Sequence, residues 1–465
     1  MQDDNADNSD DPDKRRINVY RDWTQGSILR NLLTLAWPVF ISNTLNMAGP
    51  TIDMIWVGRL GAAAMAAVGL SAQIVMVVNA LLMGFFTSLR AMVARRIGEH
   101  DDAGANVAFQ QAFILGVGVS IILSFFGIFF AKDIIALFHT EEDVATLALP
   151  YTQVQFISTI TMTILMLVEA TMQSSGDTMT AMRIGIAFRI VHIVLCPFLV
   201  FGLWIFPELG VVGAAVTSVI AQVFGGAIGF WILLSGRSRL HVTFRGFKID
   251  PVIIWRQVKI GIPASANNML RNFLSILIFR VVVPFGTVAT ASYSLIQRID
   301  NFLDVGSNAI GNAAGALTGQ NLGAKKPDRA AKTAWLGVSL ATVFMIIISV
   351  IVLFWTEGIV KIFNNESEIV STTATLLRIA VLGFLFMGAA GVLTTCLNQV
   401  GDTMIPLVAS LVTMWAIQLP LAIFMPKFLH NEVFGVYWAI VIALALRGII
   451  YVIYFKAGRW KHRRV

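Results

Sequence analysis

The sequence predicts an all-α polytopic membrane protein: twelve spans in two six-helix bundles, related by a pseudo-two-fold along the membrane normal. Three observations carry this. Of the 465 residues, 57% are hydrophobic and only 13% charged, more apolar surface than a water-soluble fold hides. Twelve apolar stretches of helical length follow one another, roughly 28–57, 65–93, 105–130, 147–174, 180–203, 208–234, 255–283, 290–318, 331–355, 370–397, 404–425 and 432–456. Positions 225 apart also repeat: Pro38 and Pro263, Gly61 and Gly286, Gly98 and Gly323, Gly210 and Gly435, with QSSGDTM (173–179) answering NQVGDTM (398–404). A constant offset over most of a chain marks a tandem duplication. Six spans per copy is an even number, so both copies lie the same way up and their symmetry axis follows the membrane normal.

The expected organisation is a tail, acidic then basic and disordered, over 1–27, a first bundle over 28–234, a linker over 235–254, a second bundle over 255–456 and a basic tail over 457–465. The first residues, MQDDNADNSDDPDKRR, lack the apolar core of a signal peptide. Lys and Arg crowd the ends and loops on one side, and the other side holds only Arg59, Lys132, Lys361 and Lys427. The positive-inside rule then predicts two cytoplasmic termini. The same distribution argues against nucleic acid as a partner, because these basic residues flank membrane spans.

Cys196 and Cys396 both fall in apolar spans, which excludes a disulfide framework. No GxxxxGK[ST] loop, HExxH or CxxC occurs, so neither ATP hydrolysis nor metal chemistry is expected, and no cofactor. An enzyme would need a nucleophile or metal constellation, and none is visible.

Polar residues inside the spans are the candidate sites, because a buried ionisable group is costly in a membrane. In the first span, Pro38 precedes Asp53 by fifteen residues. A proline removes a helix hydrogen bond and leaves a place to bend. Pro263 is its counterpart in the seventh span. Glu169 and Arg189 are expected to lower each other's burial cost as an ion pair. In the fifth span His192, Cys196 and Arg189 share a face, and histidine titrates near neutrality. In the eighth, Asp300 and Asp304 lie one turn apart, with Arg298 near in sequence and Arg280 as a plausible partner. The carboxylates draw cations into a cleft or pair with arginine. Gly176 and Gly401 read as helix ends, Asp177 and Asp402 as N-caps. Ser307, Gly311, Gly315 and Gly319 form a smooth stripe for close helix packing.

The duplication, Pro38 with Asp53, the run TIDMIWVGRLGAAAMAAVGL, the loops GEHDDAGA and GAKKPDRA and the paired GDTM turns together resemble the multidrug and toxic compound extrusion (MATE) transporters, over about 28–456. The second bundle lacks an acid between Ile260 and Val283 and so looks closer to the DinF-like branch than to the sodium-driven one. The resemblance implies an inner-membrane antiporter, expected as a monomer. It would exchange protons, or alternatively sodium, for amphipathic and often cationic compounds by alternating access. It implies Asp53 as the proton site and Thr217 as a hydroxyl near it. Many proton-coupled relatives carry an Asn four residues before an Asp-Pro in the fifth span; here His192 precedes Cys196-Pro197. The second acid of that relay is missing, and His192 is the candidate replacement. Glu169 is the other candidate for proton or substrate binding, and Asp300, Asp304 and Arg298 are the candidates for the substrate cleft. A lipid-linked precursor flippase is the rival, kept open by Arg271, Arg280, Arg298 and Arg378.

Overall fold

The computed structural model describes residues 21–428 and 432–463. Most of the expected N-terminal tail, including its acidic run and Lys14, Arg15 and Arg16, lies outside the described residues, as do the last two residues. All twelve expected spans are helices. They are α1 (Ile28–Val57), α2 (Ala62–Gly98), α3 (Asp102–Ala136), α4 (Glu142–Ser175), α5 (Thr178–Phe201), α6 (Gly210–Leu234), α7 (Pro251–Val282), α8 (Thr287–Gly323), α9 (Pro327–Lys361), α10 (Ser367–Gln399), α11 (404–428) and α12 (Glu432–Lys456). Most outrun their apolar stretch, because polar caps continue the helix past the bilayer core. The Asp101 carboxylate accepts the Gly104 N–H at 2.8 Å to start α3. Asp250 accepts Val252 and Ile253, with Pro251 in the first turn, to start α7. α11 is wound as a π-helix over Leu411–Gln418.

Ten of these helices are long and apolar enough to cross a membrane on their own hydropathy; α1 and α8 are not among them. The sequence reading of α1 as apolar enough to span is corrected here. α1 carries Asn31, Asn43, Asn46 and Asp53, and α8 carries Arg298, Asp300, Asp304, Asn308, Asn312, Gln320 and Asn321. Both sit where the two bundles meet. α1 packs on α5 of its own bundle and on α8 of the other. By the same symmetry α7 packs on α11 and on α2, and α2 meets α8. Polar residues are tolerated there because one side of each helix meets the other bundle or a cavity, while exposed apolar residues such as Leu33, Trp37 and Phe302 take the other side.

The seam between bundles is closed at the end that carries the termini. A Cβ on Gly98 would lie 2.0 Å from the Gln320 carbonyl oxygen, and one on Gly323, its counterpart, 2.1 Å from that of Arg95. Only glycine allows backbones this close. Gln320 donates its amide to the Ser174 carbonyl at 2.8 Å. Lys326 holds the Thr24 carbonyl and hydroxyl at 3.2 Å, and Arg329 the Gly26 carbonyl at 2.8 Å. The linker after α6 wraps back on α3: Asn106 exchanges hydrogen bonds with the Thr243 backbone, and Leu240 and Val242 are buried.

Two local expectations divide. The small-residue stripe of α8 packs tightly: Gly311 lies against Thr395, Gly315 against Gln399, and Gly319 against Ala94. The GDTM turns differ. Gly176 ends α4 in the left-handed region (φ 93°), and Asp177 caps α5 by accepting Thr180 N–H at 3.3 Å. Asp402 does not cap α11. Its carboxylate accepts the Tyr454 hydroxyl at 2.5 Å and pairs with Arg463 at 3.2 Å, partners that approach only after the chain has folded.

Candidate functional site

Away from the closed seam the molecule contains a cavity of about 630 Å³, lined mainly by α1, α2, α4, α5 and α6 with Asn268 and Asn272 of α7. Its lining residues on α1 and α2, from Asn46 to Met54 and from Val68 to Met83, lie in the halves of those helices remote from the termini. α1 forms one wall and contains two prolines, Pro38 and Pro50. Pro50 escaped the sequence reading, yet it lies three residues before Asp53 and lines the cavity. Lacking an N–H, it leaves the Asn46 carbonyl without its helical partner beside the site.

Asp53 lies on this wall and is 8% exposed. It does not reach out to the membrane surface. Its Oδ1 is 3.2 Å from His192 Nε2 of α5, and the Cys196 thiol donates to it at 3.7 Å. His192 Nε2 is also 3.1 Å from the Ser218 hydroxyl, and its Nδ1 is buried without a partner. A ring with Nε2–H toward the carboxylate and a bare Nδ1 satisfies this geometry with a neutral imidazole. Thr217 is buried next to this group, but its hydroxyl donates to its own helix at the Gly213 carbonyl, 2.7 Å away.

Arg189 completes the cluster. Its guanidinium lies 4.8 Å over the Phe188 ring and donates to Asn46 Oδ1 at 3.5 Å. It rests on α1 at Gly49, where a Cβ would come within 2.1 Å of Nη1. The arginine thus occupies the space left by an absent side chain one turn before Asp53. Arg189 interacts electrostatically with Asp53 on one side and Glu169 on the other, and Glu169 with Arg90 and Arg189. The expected Arg189–Glu169 ion pair does not form as a direct contact: Arg189 bonds Asn46 instead, and Asp53, Arg189, Glu169 and Arg90 make a buried series of alternating charges that interact at longer range. Arg90, missed in the sequence, crosses the seam: it donates to Gln173 at 3.3 Å and to Asn312 of α8 at 3.2 Å.

The second bundle holds a separate polar group. Asp300 and Asp304 neighbour each other on α8, and Asp304 interacts electrostatically with Arg447 of α12. Arg280 is not their partner: it is exposed near the end of α7, and neither carboxylate forms a salt bridge among the described residues, with Arg447 only interacting electrostatically with Asp304. Arg298 is exposed on α8, while one oxygen of Asp300 is buried without a partner. None of these three touches the Asp53 cluster. Pro38 and Pro263 are both buried inside their helices. Among the described residues no group of three His, Cys, Asp or Glu is placed to hold a metal ion.

The MatE family model matches this chain twice, at residues 38–198 and 263–424, once in each bundle. The chain belongs to the MatE family. It is 24% identical to the probable multidrug resistance protein YoeA of Bacillus subtilis, over 94% of this chain and 96% of that one. It is 22% identical to a FAD transporter of Shewanella oneidensis, over 84% of this chain and 87% of the relative. Its fold matches the crystal structure of MATE in the bent conformation with a TM-score of 0.87, at 19% identity, covering 94% of this chain and 96% of that one. The two matches start 225 residues apart, at the offset read from the sequence. Members of this family are transporters, not enzymes, and so is this MatE chain.

Proposed function

We propose that this MatE protein is a proton-driven antiporter that exports amphipathic small molecules across the inner membrane, with both termini in the cytoplasm. The observation that carries the reading is Asp53, a buried carboxylate at the wall of an open cavity on a proline-bearing helix. With the basic side cytoplasmic, the cavity faces outward and the closed seam faces in. A proton arriving from outside neutralises Asp53. It thereby removes one of the two acids that interact with Arg189, which can then shift toward Glu169. Glu169 also interacts with Arg90, and Arg90 spans the seam. Protonation in the outward state is thus linked to the contact that must break for the inward state to open. His192 takes the place of the missing second acid, and Pro38 and Pro50 give α1 its freedom to bend. One proton crossing about 150 mV releases roughly 3.5 kcal/mol, enough to hold a several-hundred-fold gradient of a neutral solute.

Transport by the purified protein in proteoliposomes tests this. An imposed proton gradient is expected to drive ethidium movement in wild type and not in Asp53→Asn, with sodium making no difference. Movement that follows sodium alone overturns the proton assignment. A second reading, export of a nucleotide-like metabolite rather than drugs, is favoured by the relative named as a FAD transporter and by the arginines of the second bundle.

A further inference from the structure

We infer that the second bundle forms the anion-binding half of the cleft, so that the preferred substrate is an amphipathic anion, a carboxylate or phosphate on an apolar or aromatic body. The inference rests on the transport reading above and names its substrate class.

The 225-residue offset supplies the argument. Four neutral amides of the first bundle line its cavity, Asn46, Asn79, Gln155 and Gln222, and three of them have charged counterparts. The counterparts of Asn46, Asn79 and Gln222 are Arg271, Asp304 and Arg447, and that of Gln155 is Ala380. The interactions agree with the offset, for Arg447 interacts electrostatically with both Arg271 and Asp304. The same three wall positions that are amides in one bundle thus carry two cations and one anion in the other. Asp304 balances Arg447. Arg271 is exposed and makes no ion pair or hydrogen bond among the described residues.

Arg298 adds a second free cation on α8, the helix that meets the first bundle through the bond of Asn312 to Arg90. Positions 298, 301, 305, 308 and 312 step by three and four residues, so they form one stripe. The matching stripe of α2 runs Gln73, Met76, Ala80, Met83 and Thr87, of which Met76, Ala80 and Met83 line the cavity and Gln73, the counterpart of Arg298, does not. Met76 and Met83 correspond to Asn301 and Asn308. Arg298, like Arg271, has no hydrogen bond or ion pair among the described residues and is exposed.

An exposed arginine in the middle of a membrane span does not sit in lipid; it faces water or a counter-ion. Arg271, between the cavity-lining Asn268 and Asn272 and at the counterpart of Asn46, offers charge-assisted donors to an anion, Arg298 adds positive charge farther along α8, and the methionines of the cavity offer an adaptable apolar surface to its body. A cationic substrate would meet repulsion on this wall.

Binding to the purified full-length protein separates this inference from the transport reading. Carboxyfluorescein, a planar aromatic anion, and ethidium, a planar aromatic cation, are titrated by fluorescence anisotropy. Carboxyfluorescein is expected to bind saturably, about tenfold weaker in Arg271→Gln and in Arg298→Gln, with most affinity kept in the Lys variants. Ethidium is expected to be unchanged or tighter in the Gln variants. Equal weakening of both dyes, or anion binding indifferent to both arginines, overturns the inference. If the anion binds as expected but neither dye moves under any gradient, the transport reading fails and the anion site stands.

Discussion

The two bundles share a fold and not a chemistry. In the first, two buried acids, Asp53 and Glu169, alternate with two arginines, Arg189 and Arg90, and the series runs from the cavity wall to the seam. In the second, the position of Asp53 is Ile278, a buried hydrocarbon, and the polar groups have moved to α8 and α12. Duplication has therefore kept the scaffold twice and placed the proposed ion site once.

The largest expected effect separates the acids of the two bundles. Asp53→Asn should lower proton-driven ethidium transport by about a hundredfold, the loss of roughly 2.7 kcal/mol of coupling, whereas Asp304→Asn should change it by less than about threefold. Initial rates in proteoliposomes measure both, and equal losses would erase the distinction drawn between the bundles.

Next comes the contrast between seam and cavity within α2. Gly98→Leu drives a side chain into the backbone at Gln320 and should cost about 1–3 kcal/mol as overpacking. Gly69→Ala meets nothing within 4 Å and should be close to neutral. Thermal unfolding in detergent reads both. A tolerated Gly98→Leu would show that the seam is looser than it looks.

A smaller effect is expected at Gly49→Ala, where the new methyl displaces the Arg189 guanidinium from its seat on α1. Transport should fall by about three- to tenfold, on the order of 1 kcal/mol, and the loss should disappear in an Arg189→Gln background. Independent, additive losses would mean that Gly49 does not act through Arg189. The smallest concerns the two GDTM turns. Tyr454→Phe removes the hydroxyl that Asp402 accepts and should cost about 0.5–1.5 kcal/mol, seen as a lower melting temperature.

The unequal turns also show what a sequence conveys. All twelve helices were legible, because hydropathy and the 225-residue repeat are one-dimensional signals. Asp53 and His192 were legible because each is a polar residue in an apolar run. Asp402 was misread because identical GDTM strings suggest identical roles, while its partners Tyr454 and Arg463 arrive from another helix and the tail. Arg280 was named as a partner, and Arg447 not considered, for the same reason: nearness along neighbouring spans says little about which helix face turns inward. Pro50, Asn46 and Arg90 were overlooked because each has an ordinary explanation in isolation, and only the cavity and the seam give them a second one.

Central to the account is the claim that substrate and proton exchange through one carboxylate. The most direct measurement loads proteoliposomes with a trapped pH indicator and adds substrate with no imposed gradient. Wild type should show a proton flux opposite to the substrate, insensitive to sodium and absent in Asp53→Asn. A flux that persists in the Asp53→Asn protein, or that appears only when sodium is present, contradicts it.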